Sequence, residues 1–265
     1  MELAMSEINK LKKALEFLTS HIPGANELAE MVNEGSLVLN TSHEDTPEDV
    51  LLAEPERFND AEKEQKMLDA FKTKKLNNLE VGRLYERYVG YLYEQEGWSV
   101  TYKGIVDGLN DLGRDLICIK NNEHKVVQAK CWSKYTVIRE NHIYQLFGSF
   151  THYRMQLRQV FKATYGRTKA SEMMRNIKIT PVICSNNDLS ETAKDVIKYL
   201  NIEHFQIKLI KDYPMVKCNI NNKTKLYHLP FDPAYDSIII GNVEGEYYAN
   251  TIKEAQNLGF KRVNS

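Results

Sequence analysis

The spacing of apolar residues in the central part of the chain changes between helical and strand-like in a defined order. Residues 76–95 place apolar side chains at helical spacing, which predicts one long helix. The segments that follow predict three strands, a helix, a strand, a helix and a strand, at 98–102, 114–119, 126–132, 138–163, 179–184, 189–200 and 205–210. The order αβββαβαβ predicts an α/β core in which helices cover both faces of a mixed central sheet.

The two ends of the chain depart from this pattern. Residues 4–19 predict an amphipathic helix, and residues 40–64, rich in Asp, Glu and Pro, predict a linker or a weakly structured helix. After Pro214 the pattern predicts a strand-like segment and then a helix, at 237–241 and 251–258. We therefore divide the chain into a mainly helical N-terminal region, a core and a small α+β C-terminal module, at 1–70, 71–212 and 213–265.

The composition excludes several classes of protein. Of the 265 residues, 42% are hydrophobic and 27% are charged, which rules out a disordered chain. No apolar run is long enough to predict a membrane span, and the charged N-terminus lacks the apolar stretch of a signal peptide. The four cysteines form no CxxC pair, which argues against a disulfide framework and favours a reducing compartment such as the cytoplasm.

The net charge of −1 conceals a division between two parts of the chain. Residues 1–70 hold 6 Lys and Arg against 16 Asp and Glu, a balance of −10, whereas residues 71–265 hold 29 against 20, a balance of +9. The basic part could attract a polyanion such as nucleic acid, or the acidic part could be a solubilising extension of an ordinary domain. The acidic region could also drive self-association, bind a partner or cover the basic core.

The stretch from Asp115 to Lys130 carries the most informative chemistry. Side chains alternate along a strand, so Gln128 and Lys130 point to the same side of the third predicted strand. A turn between strands can bring Asp115 beside them, which would gather a carboxylate, an amide oxygen and an ammonium on one sheet face. A purely structural ion pair between Asp115 and Lys130 is the alternative interpretation.

This set of groups suits the metal-assisted hydrolysis of a phosphodiester. Asp115 would bind Mg²⁺, which prefers oxygen ligands, and Gln128 would contribute a neutral oxygen or a contact through water. Lys130 would hold or activate the attacking water and stabilise the transition state as a point charge. The metal needs a further carboxylate, which we expect Glu86, on the preceding helix, to supply.

Four segments together resemble the Mrr-like branch of the PD-(D/E)XK nucleases, which includes relatives of archaeal Holliday-junction resolvases. They are LYER at 84–87, GWSV at 97–100, DLGRDLI at 111–117 and VQAK at 127–130, within a resemblance that spans about residues 76–212. It implies a restriction-endonuclease-like fold in which Glu86 is the helix carboxylate, Asp115 the principal metal ligand and Lys130 the catalytic lysine. Gln128 would replace the usual acidic residue, which implies weaker metal binding.

The residues after the third strand could contact phosphates. Five of them carry donors suited to a DNA backbone: Ser133, Lys134, Tyr135, Arg139 and Gln145. Gln145 could instead be a satisfied core amide, and the basic helix at 150–169 is either a solvated face or a DNA-binding one. Asp111 is expected to form the turn before the second strand. Four histidines without metal-ligand spacing are expected at the surface or in loops: His21, His43, His124 and His204.

The C-terminal segment resembles the small zinc module first known from the Ada methyl-transfer protein. The matching features are a YHLP turn at 227–230 and the helix end TIKEAQNLGFKR at 251–262. The cysteines expected in that module are absent from this sequence. We therefore expect no zinc site but a metal-free small fold that contacts DNA or protein.

The residues and the resemblance together predict a Mg²⁺-dependent DNA endonuclease, with Mn²⁺ as a substitute metal, that acts in restriction or phage defence. We expect a dimer, because a duplex has two strands and one site cuts one of them. Two other functions fit the same residues. One is a structure-specific repair or recombination nuclease, such as a junction resolvase, and the other is a non-catalytic DNA-binding module that keeps the fold.

Overall fold

The computed structural model describes residues 60–103, 114–132 and 136–263. The helix predicted at 4–19 and the rest of residues 1–59 lie outside the described residues. Of the described residues, 75–81 group with one compact unit of the chain and all others with a second. Within the described part of the chain, every helix is too short or too polar to cross a membrane.

Five strands form the central sheet: β1 (Ser99–Tyr102), β2 (Leu116–Lys120), β3 (Glu123–Lys130), β4 (Lys178–Ser185) and β5 (Glu203–Gln206). They lie in the sheet in chain order. The pairs β1–β2 and β2–β3 are antiparallel, whereas β3–β4 and β4–β5 are parallel. The mixed central sheet is therefore confirmed.

Five helices precede or connect the strands of this sheet: α1 (Asp60–Thr73), α2 (Asn78–Gln95), α3 (Glu140–Tyr165), α4 (Arg167–Asn176) and α5 (Glu191–Leu200). The two faces of the sheet are covered by different helices. Val89 of α2 packs with Leu116 on one face, which we call the α2 face. Ile143 of α3 packs with Ile117 on the other, which we call the α3 face. Leu116 and Ile117 are neighbours in β2 and thus point to opposite faces of the sheet, as side-chain alternation requires.

Within the core, one predicted helix and one predicted strand differ from the observed elements. The helix predicted at 138–163 is followed by a second helix, because Gly166 adopts a φ of +81° and ends α3 directly before α4 begins. Only glycine adopts such a φ without a steric penalty from Cβ. The strand predicted at 205–210 instead occupies Glu203–Gln206, since Gln206 already pairs with Ser185, the last residue of β4.

The C-terminal residues form a second sheet of four strands: β6 (Val216–Asn221), β7 (Thr224–His228), β8 (Tyr247–Ala249) and β9 (Lys261–Arg262), in the order β8-β6-β7-β9. The helix predicted at 251–258 corresponds to α6 (Ile252–Asn257). The strand predicted at 237–241 is wrong. The Ile238 carbonyl accepts a 2.7 Å hydrogen bond from the Lys217 ammonium. The Gly241 N–H donates to the Glu246 carboxylate at 3.2 Å, so side chains satisfy backbone groups that a strand would pair.

Polar side chains of α2 join the core to the C-terminal sheet. Arg87 donates two hydrogen bonds to the carboxylate of Asp236, at 2.7 and 2.8 Å. Glu94, one of the buried residues of α2, accepts hydrogen bonds from the hydroxyls of Tyr102 and Tyr248. A carboxylate buried in this way depends on its donors, because an unpaired buried charge is costly.

Lys217 of β6 completes this buried network. Its side chain is 1% exposed, and its Nζ donates hydrogen bonds to the carbonyls of Ile238 at 2.7 Å and Tyr235 at 3.2 Å. The same Nζ lies 4.6 Å from the centre of the Tyr102 ring. Burial lowers the pKa of Lys217 to about 8, although the nearby Glu94 raises it.

The domain boundaries expected near residues 70 and 212 stay predictions.

Candidate active site

Asp115 lies directly before β2 and is 6% exposed. Its N–H donates to the Val127 carbonyl at 3.0 Å, and its carbonyl accepts the Lys103 N–H at 2.8 Å. Its carboxylate oxygen Oδ2 accepts a 2.6 Å hydrogen bond from the backbone N–H of Ala129. Backbone bonds to the strands on both sides therefore hold Asp115 beside the end of β3.

Asp115, Gln128 and Lys130 share one face of the central sheet. Leu116 packs on the α2 face, so alternation directs the preceding residue, Asp115, to the α3 face. The residues on either side of Gln128 also pack on the α2 face, which directs Gln128 and Lys130 to the α3 face. The structure thus brings these three predicted residues to the same side of β2 and β3.

The Gln128 side chain is fully buried and its amide contacts α3. Its Nε2 donates to Oε1 of Gln145, an exposed residue of α3, at 3.3 Å. Its own Oε1 is buried and has no hydrogen-bond partner among the described residues. A buried carbonyl oxygen without a partner costs free energy, so this oxygen favours a ligand that supplies the missing interaction.

Glu86 approaches from the other side of the sheet. It is half-buried on α2, one turn before Gly90, where an added Cβ would lie 2.3 Å from the Tyr102 hydroxyl oxygen. Tyr102 ends β1 and pairs with Leu116, the residue after Asp115. Since α2 covers the opposite face, the Glu86 carboxylate can join the other three side chains only around the ends of the strands.

The donors at this site fit a hard divalent cation with few charged ligands. Within the described ranges, no group of three or more His, Cys, Asp and Glu has an arrangement that could hold a metal ion. The Asp115 carboxylate and the partnerless Gln128 oxygen are both oxygen donors, which Mg²⁺ prefers over nitrogen or sulfur. Glu86 or water would have to complete such a ligand set.

Polar groups of β4 and β5 extend the site in a way that the sequence analysis missed. Ser185 lies opposite Lys130 in the β3–β4 register. Because Ser185 Oγ donates to the Asn187 carbonyl at 2.7 Å, the His204 Nε2 at 2.9 Å must donate to Oγ. Burial lowers the pKa of His204, partly offset by a nearby carboxylate. His124 is buried in β3, so the expected surface or loop position is wrong for it. His204 lies half-buried in β5, at the edge of the sheet.

Two asparagines after β4 hold both ends of the segment that follows Lys130. The Asn186 amide accepts from the Trp132 N–H and donates to its carbonyl, each at 2.8 Å. The Asn187 amide donates to the Thr136 carbonyl at 2.5 Å. Arg139 is exposed at the start of α3. Several residues singled out above lie outside the described residues: His21, His43, Asp111, Ser133, Lys134 and Tyr135.

Comparison with known proteins gives one family match. The Mrr_cat family model, described as a restriction endonuclease, matches residues 80–213, just over half of the chain. A solved structure titled "Crystal Structure of Protein of Unknown Function AF1548" is 17% identical, with a TM-score of 0.28. The similarity covers 46% of this chain and 56% of that one, so the chain spans little more than half of its length. No curated protein matches the chain.

The matched range contains all the described elements of the central sheet and ends before β6. The comparisons give no support to the resemblance of the C-terminal segment to the Ada-type zinc module. For the core, the match agrees with the order of elements, the mixed sheet and the helices on both faces. The chain belongs to the Mrr-like restriction endonucleases of the PD-(D/E)XK superfamily.

Proposed function

We propose that this chain is a metal-dependent endonuclease that hydrolyses the phosphodiester bonds of DNA. The observation that carries the proposal is the common sheet face of Asp115, Gln128 and Lys130 in a chain of this family. We propose Mg²⁺, with Mn²⁺ as a substitute, held by Asp115, Gln128 and Glu86. Such a cation, when bound, lowers the pKa of a water ligand and neutralises charge on a phosphate oxygen.

Each side chain has a distinct part in this proposal. Asp115 supplies the charged ligand, and the Ala129 N–H restrains its rotation. Gln128 supplies a neutral oxygen that is already desolvated, so little reorganisation accompanies cation binding. Lys130 orients the attacking water and stabilises the charge that develops on the phosphate. The residues proposed to contact phosphates of the DNA are Ser133, Lys134, Tyr135, Arg139 and Gln145.

Incubation of supercoiled plasmid with the protein and Mg²⁺ or Mn²⁺ tests the proposal. The wild type is expected to nick or linearise the plasmid, and a chelator should stop the reaction. Asp115→Ala and Lys130→Ala should fail to cut while still binding DNA. Lys178→Ala is the matched control, because this exposed lysine lies at the opposite end of the sheet from Lys130.

The same assay distinguishes the other functions that the sequence left open. Salt-dependent DNA binding with no cutting by the wild type in either metal would contradict an endonuclease and favour a binding module. A panel of junctions, flaps and methylated duplexes then tests substrate choice. Cutting confined to junctions would favour a structure-specific nuclease over a restriction-type enzyme.

We also propose a role in restriction or phage defence, in the cytoplasm, as a dimer. The family supports the role in restriction or phage defence, and the absence of a CxxC cysteine pair supports the cytoplasm. The dimer follows from the chemistry, since one site cuts one strand and two are needed to break a duplex. Sedimentation of the full chain with and without a duplex measures the oligomeric state.

A further inference from the structure

The second half of α3 and the whole of α4 form an exposed helical hairpin. The residues that α3 buries end at Phe150, although the helix continues to Tyr165, and in α4 the buried residue is Ala170. Packing against the core therefore places few demands on the sequence of this hairpin. The residue types on its surface can therefore be determined by a ligand that binds there.

A groove between these two helices is lined by cations. It consists of two adjoining cavities of about 510 and 460 Å³ that share Met155 and Arg158 in their walls. The basic side chains along the groove are Arg154, Arg158, Lys162, Arg167 and Arg175. Among the residues that the structure describes, no carboxylate lines either cavity.

The charge of this groove is not balanced locally. Between residues 141 and 176 the sequence holds six Lys and Arg residues and one acidic residue, Glu172. Within the described part of the chain, no ion pair joins any of the five groove cations to a carboxylate. Cations arrayed along one groove repel one another, and a polyanion relieves that repulsion.

The groove is a different surface from the candidate active site. Successive residues of an α-helix are about 100° apart, so Arg154 lies about 180° around α3 from Gln145. Gln145 is the residue of α3 that contacts Gln128. The rise of about 1.5 Å per residue places Arg158 about 20 Å along the helix axis from Gln145. The groups proposed to hold the scissile phosphate therefore do not account for the groove.

We propose that the groove between α3 and α4 binds the phosphodiester backbone of duplex DNA outside the step that is cut. This proposal depends on the proposed function in one respect, the identification of the polyanion as DNA. Arg154, Arg158 and Lys162 follow one another at intervals of four residues, so they form one stripe with a rise of about 6 Å per interval. Guanidinium groups bind phosphate through two parallel hydrogen bonds, which suits an arginine-rich groove to a sugar–phosphate chain.

Binding of a labelled duplex by the full chain, in an Asp115→Ala background that removes cutting, tests this surface. Arg158→Glu combined with Lys162→Glu should weaken binding at least about tenfold near 0.1 M salt. The slope of log affinity against log salt should become shallower by about 0.9 for each lost phosphate contact. Lys198→Glu combined with Lys253→Glu is the matched control, because it changes the net charge equally at exposed sites away from the groove. Thermal unfolding shows whether each variant is folded.

Equal affinities and equal salt slopes for the groove variant and the control would overturn the proposal. So would unchanged DNA binding by a groove variant that is no longer retained on anionic vesicles. Plasmid cutting by the wild type is scored separately. If the wild type does not cut but the groove variant loses DNA binding, the groove proposal stands and the nuclease proposal fails. If the wild type cuts and the groove variant binds DNA like the control, the nuclease proposal stands and the groove proposal fails.

Discussion

The carboxylate of Asp115 accepts the backbone N–H of Ala129 through a 2.6 Å hydrogen bond. Ala129 separates Gln128 from Lys130, so this bond ties the carboxylate to the strand that carries the other two polar side chains. A short bond to a charged acceptor restrains rotation of the carboxylate. The direction of its second oxygen is therefore set by strand register before any ligand binds.

The substitution Asp115→Asn should stop cleavage and leave the fold intact. The amide oxygen can still accept the Ala129 N–H, but the negative charge that would bind a divalent cation is lost. We expect cleavage to fall about 10²-fold or more. Nicking rates and thermal unfolding of the same preparation check this. Wild-type cleavage by a folded Asp115→Asn protein would contradict the proposed role.

The metal requirement should respond in opposite directions to two substitutions at Gln128. Gln128→Glu adds a charged ligand and should lower the Mg²⁺ concentration needed for half-maximal cleavage, while the metal-free protein loses stability because it buries another carboxylate. Gln128→Leu keeps most of the side-chain volume and removes the oxygen, so the Mg²⁺ requirement should rise. Cleavage rates measured across a magnesium titration decide this. Identical metal dependence in both variants would show that Gln128 is not a ligand.

The central sheet was predictable because the alternation of apolar and polar residues along its strands matches the faces of the sheet that those residues occupy. Val127 and Ala129 alternate with Gln128 in the sequence, and the structure places them in the core of the α2 face while Gln128 contacts α3. The same alternation predicted that Gln128 and Lys130 share a side. What the sequence lacked was the register between β2 and β3, which decides whether Asp115 lies beside them.

The C-terminal sheet was harder to predict because its core contains charges and turns. Lys217 in β6 is fully buried, although a lysine in a polar stretch normally indicates solvent exposure. The apolar run at 238–240 suggested a strand, but its first carbonyl is bound by Lys217. The Tyr102 ring and the Glu94 carboxylate near the Lys217 Nζ lie far away in the sequence, on β1 and α2, so no local pattern could reveal them.

Two glycine-to-alanine substitutions on α2 should change stability in opposite directions. An added Cβ at Gly90 would lie 2.3 Å from the hydroxyl oxygen of the buried Tyr102, so Gly90→Ala should destabilise the protein by about 1–3 kcal/mol. At Gly82 nothing lies within 4 Å of the added Cβ. Gly82→Ala should therefore stabilise by about 0.5–1 kcal/mol through helix propensity. Denaturant unfolding measures both, and a stable Gly90→Ala protein would contradict the close packing of α2 on Tyr102.

Glu94 and Lys217 should be strongly coupled in a double-mutant cycle. Each single substitution, Glu94→Gln or Lys217→Met, removes the strongest counter-charge of the other buried group, which costs up to about 3–5 kcal/mol. The double variant removes both charges, so its loss of stability should be smaller than the sum of the single losses by about 1 kcal/mol or more. Denaturant unfolding of the four proteins at pH 7 gives the coupling. Additive losses would mean that the two charges act independently.

The buried ammonium of Lys217 should make stability rise with pH in the alkaline range. Its pKa is about 8 in the folded protein, against an ordinary value of 10.5, because burial disfavours the charged form. Between these values the unfolded chain binds a proton that the folded chain does not, so the free energy of unfolding increases with pH. Well below pH 8 both states carry the proton and the contribution is constant. From pH 8 to 9.5 the wild type should therefore gain about 1–2 kcal/mol relative to Lys217→Met, whose buried methionine does not titrate. Parallel pH profiles of the two proteins would show that the Lys217 ammonium is not desolvated.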